Sequence, residues 1–124
     1  MFKRLLFLFI PFTFLFSDAI EVDPETLNFG NVVMGSNPTL SFTITSNLSQ
    51  NISLEVPNFF ETDISEIYLE QGETQVVSVV FTPPSTGNFD SEIYLIGDTF
   101  GDATVVLLAD AVNDISGALS GSII

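Results

Sequence analysis

An antiparallel β-sandwich of about seven to eight strands is the fold this sequence predicts, and three observations predict it. Thr39-Leu40-Ser41-Phe42-Thr43-Ile44-Thr45 alternates apolar and hydroxyl residues without a miss, the signature of a half-buried strand. No segment beyond residue 19 carries a 3.6-residue apolar period bounded by helix caps. Turn-forming clusters recur at the spacing of a sandwich.

The chain begins with a different kind of segment. Its only basic residues, Lys3 and Arg4, precede an apolar stretch of 12 residues from Leu5 to Phe16, and Ser17-Asp18-Ala19 satisfies the small-x-small rule for signal-peptidase cleavage. Residues 1–19 are therefore expected to be a signal peptide, with the mature chain starting near Ile20. An uncleaved membrane anchor is the rival reading. A spanning helix needs about 20 apolar residues, and nothing after Ala19 prolongs the run.

Cleavage there removes both cations and one of the 16 carboxylates, Asp18. What remains is 105 residues with 15 carboxylates and no Lys, Arg, His, Cys or Trp, a charge near −15. Nucleic acid draws protein affinity from cations set against phosphates, so nucleic-acid binding is excluded. Adsorption to anionic membrane surfaces is excluded on the same ground. Without Cys, an exported fold of this size is held by its core alone.

The expected domain covers residues 20–112. In Pro24-Glu25-Thr26-Leu27-Asn28-Phe29-Gly30-Asn31-Val32-Val33-Met34-Gly35, Leu27 and Phe29 point to one side. Gly30 and Gly35 permit a bulge or a positive φ by which an edge strand crosses between sheets. The strand over 39–45 is followed by the turn cluster Ser46-Asn47-Leu48-Ser49-Gln50 and a second alternating strand, Asn51 to Val56. Glu73 to Thr82 puts Val77, Val79 and Phe81 on one face. Pro83 and Pro84 remove ladder donors and end that strand, Gly87 closes the turn, and Phe89 re-enters the core. Phe89, Ile93 and Leu95 share a face of the segment from Asn88 to Ile96, and Ala103 to Ala109 is apolar on both faces. The expected core is Phe29, Phe42, Val79, Phe81, Phe89 and Ile93, with Phe81 and Phe89 plugging one end.

These residues resemble a known family, the Hydin-type or ASH immunoglobulin-like domains, relatives of the major sperm protein fold. The resemblance lies in the opening Pro24-x-x-Leu27-x-Phe29-Gly30-x-Val32-x-x-Gly35, the Gly72-Glu73 turn before the long strand, and the corner Phe81-x-Pro83-x-x-x-Gly87-x-Phe89. It extends from about Val22 to Val112. Two loops depart from the pattern: Asn47-Leu48-Ser49 stands where Asn-x-Gly is usual, and Gly97-Asp98-Thr99-Phe100-Gly101-Asp102 replaces a Ser-Asn-Asp hairpin. The resemblance implies an immunoglobulin-like, non-catalytic module, of the sort found in cilium- and centrosome-associated proteins and in large secreted or surface proteins of bacteria. The export signal favours the second setting, in the periplasm or at the cell surface.

Candidate chemistry is confined to carboxylates. With neither His, Cys nor Lys past residue 19, a Ser or Thr nucleophile has no ordinary base and zinc has no imidazole or thiolate. No pair of acids is singled out for glycoside hydrolysis, so no enzyme is expected. Asp98 and Asp102 flank a glycine-bearing hairpin, and Glu61, Asp63 and Glu66 lie close in sequence. Both sets supply hard oxygens of the kind calcium takes, with Asp98 and Asp102 the leading candidates. Their plain reading is turn residues on a solvated acidic surface, so no cofactor is expected unless calcium binds. Asn47-Leu48-Ser49 and Asn51-Ile52-Ser53 fit the glycosylation sequon. Residues 113–124 are rich in Gly and Ser and read as a linker, or the truncated start of a following domain.

The functional expectation is a secreted or cell-surface module that spaces, docks or adheres, with a protein or glycan partner that the sequence does not name. The alternative is a calcium-dependent adhesive or carbohydrate-binding domain.

Overall fold

A computed structural model of the chain describes residues 18–113. The expected signal peptide, apart from Asp18 and Ala19, and the expected linker, apart from Asn113, lie outside the described residues.

Among the described residues, ten strands alternate with short turns: β1 (Ile20–Asp23), β2 (Thr26–Val33), β3 (Thr39–Ser46), β4 (Gln50–Glu55), β5 (Phe60–Thr62), β6 (Glu66–Leu69), β7 (Thr74–Phe81), β8 (Gly87–Asn88), β9 (Ser91–Gly97) and β10 (Asp102–Val112). Eight have at least four residues; β5 and β8 have three and two. One sheet has the order β1-β3-β7-β5 and the other β2-β10-β9-β4-β6, with β8 also against β10. All pairs are antiparallel except β2 and β10, which run parallel. Among the described residues there is no helix long and apolar enough to cross a membrane.

The core lies between the sheets because successive side chains of a strand point to opposite faces, and burial alternates at period two along the long strands. Phe42 and Ile44 of β3, Val77, Val79 and Phe81 of β7, Ile93 and Leu95 of β9, and Val105 and Leu107 of β10 are all buried. Of the six expected core residues, Phe42, Val79, Phe81 and Ile93 are buried, while Phe29 and Phe89 are half-buried and pack against the core from its edge.

Each of the two partial burials accompanies an irregularity in the pairing along β10. Along β10 the register with β2 slips between Leu108 and Ala109, so that Phe29 becomes the extra residue of a bulge completed by Gly30 at φ +67°. The bulge changes the parity of β2. Leu27 and Phe29 face inward before it, and Val32, not Asn31, is buried after it. On the other flank of β10, pairing is interrupted between β8 and β9 at the same level. There Phe89 N–H donates to Ala109 O (2.8 Å), and the Asp90 carboxylate accepts the Ala109 N–H (2.9 Å). Phe29 and Phe89 thus lean in from two irregularities on either side of one strand.

The bulge at Gly30 is as expected, but the change of sheet is elsewhere. The chain leaves the first sheet after Asp23 and joins the second at Thr26, across Pro24 and Glu25. Pro24 has no N–H with which to continue the β1–β3 ladder, so the transfer falls there.

Residue 18 and residue 113 emerge at opposite ends. Ala19 O accepts the Asn47 N–H (2.8 Å) beside the β9–β10 hairpin, whereas Val112 O accepts the Met34 N–H (2.9 Å) at the far end of β10. The 11 residues of β10 run the length between them, roughly 30–35 Å at the usual strand rise.

Candidate interaction surfaces

At the entry end, one side chain organises the hairpin of residues 97–102. Gln50 is 2% exposed. Its Oε1 accepts the N–H groups of Thr99 and Phe100, and its Nε2 donates to Phe100 O, all at 2.9 Å. The amide reaches so close that a Cβ on Gly97 would collide with it, so any other residue there has to displace the Gln50 side chain. The sequence reading missed Gln50, although a signal existed. It shares parity with Ile52 and Leu54 and is the polar residue on an otherwise inward-facing row.

The calcium candidates lie on and beside this hairpin. Asp98 Oδ1 accepts the Asn51 N–H at 3.2 Å and the Thr99 hydroxyl at 3.3 Å, while Asp98 N–H donates to Asn51 O at 2.9 Å. Asp102 opens β10 opposite Ile96. It borders a concavity of about 380 Å³ shared with Asp18, Glu21 and Glu25. Glu61, Asp63 and Glu66 diverge: Glu61 lies in β5 of one sheet and Glu66 in β6 of the other. Asp63 Oδ1 takes the Ser78 N–H at 2.9 Å. Among the described residues, no three acidic side chains gather closely enough to hold a metal ion. Asn47, the first sequon residue, donates its side-chain amide to Asp18 O and to the Glu21 carboxylate.

The exit end is aromatic. Phe81, fully buried, stacks on Phe60 (ring centroids 4.7 Å, 22° between planes) and meets Phe29 and Phe89 at 5.8 and 5.7 Å. The shared plug of Phe81 and Phe89 is as expected; Phe29 and Phe60 complete it. Phe59 extends the plug to the surface, edge-on to Phe89 at 5.6 Å and 46% exposed. Its φ of +76° is the left-handed conformation usually left to glycine. It occupies the third position of the turn from Pro57 to Phe60, where such a φ is required, and Thr82 N–H fastens its carbonyl at 2.8 Å.

Beside this plug a groove of about 600 Å³ opens on the second sheet. Its origin is in the register: β4 pairs with β9 only as far as Glu55 opposite Tyr94, then turns away through Val56 and Pro57. The start of β9 is left without its β4 neighbour. Val56, Pro57 and Val106 line the groove together with Tyr94, Glu55, Asp90 and Glu92. Tyr94 is half exposed and donates its phenol to Glu92 Oε1 at 2.6 Å. That hydrogen bond, then the charge of Glu92, slight desolvation and the charge of Glu55, raises the phenol pKa above its ordinary 10.0. The sequence reading missed this surface as well. Its trace was Tyr94 on the outward parity of β9, between Glu92 and Ile96.

The arrangement as a whole is an immunoglobulin-like sandwich whose surface features are turns, edges and a groove. The HYDIN/CFA65/VesB-like Ig-like domain family matches residues 18–109, and the chain belongs to that family. No curated protein matches the chain in sequence. Among solved structures, the ASH/PapD-like domain 7 of human CEP192 superposes with a TM-score of 0.67 at 13% identity, covering 79% of this chain and 88% of that one. The Vibrio cholerae VesB protease matches with a TM-score of 0.53 at 14% identity, over 82% of this chain and 35% of the protease. The Escherichia coli chaperone DraB matches with a TM-score of 0.57 at 12% identity, over 74% of this chain and 54% of the chaperone. At these identities the likeness is one of fold.

Proposed function

We propose that the chain acts as an exported, non-catalytic immunoglobulin-like module that spaces or docks other parts of a surface protein assembly. The observation that carries this reading is the emergence of residues 18 and 113 at opposite ends of a single sandwich, an in-line arrangement suited to a spacer. Family membership agrees with a binding or scaffolding role, since this is an Ig-like domain family. Fold alone assigns no partner. Residues 113–124 serve in this reading as the linker toward a following unit.

Export is supported by a coincidence of boundaries. Among the described residues, which begin at Asp18, the first strand and the first buried side chain both fall at Ile20, the residue after Ser17-Asp18-Ala19. Mass spectrometry of the exported product is expected to give Ile20 as the amino terminus. A membrane-bound product that retains Met1 overturns it.

In the same reading Asp98 is a turn residue, because its carboxylate is already engaged by Asn51 and Thr99. A specific calcium site stabilises by mass action at concentrations too low to screen charge. Melting at constant ionic strength with and without millimolar calcium is expected to show no difference. A calcium-specific rise lost in Asp98→Ala or Asp102→Ala would move the function to the calcium-dependent adhesive class.

A further inference from the structure

We infer that the groove at the β4–β9 fork seats an arginine-bearing extended segment of a partner protein, its guanidinium stacked on Tyr94 and paired with Glu55 and Glu92. The inference deepens the docking part of the proposed function and is independent of export. Three features of the groove point to this occupant and away from others.

The floor is apolar. Val56, Pro57 and Val106 offer carbon surface, which suits the three-methylene stem of an arginine and not a hydrated inorganic ion. The wall is an aromatic ring, Tyr94, half exposed and held in place by its 2.6 Å hydrogen bond to Glu92. A ring tethered before binding is a good platform for a planar cation, because part of its side-chain freedom is already given up.

The rim carries uncompensated negative charge. Tyr94 reports it, since the neighbouring carboxylates disfavour its ionisation. Lys3 and Arg4 are the only basic residues of the sequence, and no described residue is basic, so no described side chain supplies a counter-charge. The acids do not converge on a point, as ligands of a metal ion would. Asp90 commits one oxygen to the backbone N–H of Ala109, whereas Glu92 commits one to the Tyr94 phenol itself, beside the ring on which the cation stacks, so Glu92 and Glu55 are the acids assigned to the cation. Guanidinium is preferred to ammonium because its plane stacks on the ring while its edge presents several donors to carboxylates.

Extension of the segment follows from the backbone. β9 loses its β4 neighbour beyond Tyr94, so a partner strand lying in the groove continues the sheet where β4 departs.

The test is titration of the purified protein with acetyl-Leu-Arg-Leu-Arg-Leu-amide, followed by amide chemical shifts and calorimetry. The expected result is saturable binding with shifts concentrated at residues 55–57 and 90–94. A peptide with citrulline in place of arginine, neutral and nearly isosteric, is expected to bind at least tenfold more weakly, and the lysine peptide to fall between. Tyr94→Ser and Glu92→Gln are each expected to weaken the arginine peptide by tenfold or more, with melting temperatures within a few degrees of the parent. Val76→Ser, on the outer face of the opposite sheet, is expected to change nothing. Shifts spread evenly over the acidic surface, equal binding of the citrulline peptide, or affinity unmoved by Tyr94→Ser would each overturn the inference. Calcium or a neutral oligosaccharide saturating the same residues while the arginine peptide does not would overturn it too. None of these outcomes bears on the emergence of the chain at opposite ends, so the spacer reading is judged separately.

Discussion

At the end where the chain enters, Gln50 spends its amide on three backbone groups of one hairpin, whereas at the end where it leaves, Phe81 collects aromatic rings contributed by β2, β5 and the approach to β9. The first arrangement is directional. It fixes a loop of six residues by matching donors to acceptors, and an added atom at Gly97 would displace the amide that does so. The second is collective: four rings exclude water from a corner where two strands are irregular, and no single angle is decisive. Hydrogen bonding therefore defines a local shape at one end, and burial supplies cohesion between the sheets at the other.

The comparison breaks most visibly at Phe81. Phe81→Ala removes a fully buried ring and leaves a cavity beneath three others, for an expected loss of about 3–5 kcal/mol in denaturant unfolding. A loss under about 1 kcal/mol would mean the plug does not join the sheets. At the other end, Gln50→Ala is expected to lose only about 1–3 kcal/mol, because the freed Thr99 and Phe100 groups lie in a surface loop that water can reach. The sharper experiment there is a double-mutant cycle. Gly97→Ala alone forces Gln50 out of its place, but in a Gln50→Ala background the same methyl meets no amide and its cost disappears. Additive effects of the two changes would refute the close approach.

The smallest expected effect is at the groove. Because the Tyr94 phenol is hydrogen-bonded and faces like charge when ionised, its pKa is raised above 10.0 in the folded protein. Its contribution is thus present at pH below the unfolded value and is lost as pH rises through the folded one. Glu92→Gln should lower the pH at which Tyr94 ionises, as followed by ultraviolet titration. No change would show that Glu92 does not control the ring.

Most of the fold was legible in the sequence, and the places where it was not have physical reasons. β3, β4, β7 and β9 were readable because each repeats apolar residues on one face at period two, and β10 because it carries a continuous apolar run. β5 and β6 have three and four residues, too few for a period to stand out. β1 was hidden by its position directly after the expected cleavage site. The bulge was visible in Gly30, but the inward lean of Phe29 and Phe89 depends on two irregularities meeting at Ala109 of a third strand, which no local pattern reveals. The candidate sites were less legible. Asp98 and Asp102 were noticed because they are acidic and close to glycine, and Asp98 is occupied by its own turn. Tyr94, Glu55 and Glu92 come together only because β4 turns away from β9, a long-range event that sequence spacing does not encode.

The one parallel pairing among the described residues, β2 with β10 over residues 26–33 and 106–112, has a mechanical consequence. If the chain is stretched between its two emergent ends, β2 is drawn toward one pole and β10 toward the other. Two parallel strands pulled in opposite directions along their own axes slide past each other, so their hydrogen bonds take the load together and cannot be peeled apart one at a time. Tension along the chain would meet the sandwich in its stiff direction, and the pair most directly in the line of force would be the last place where it yields gradually.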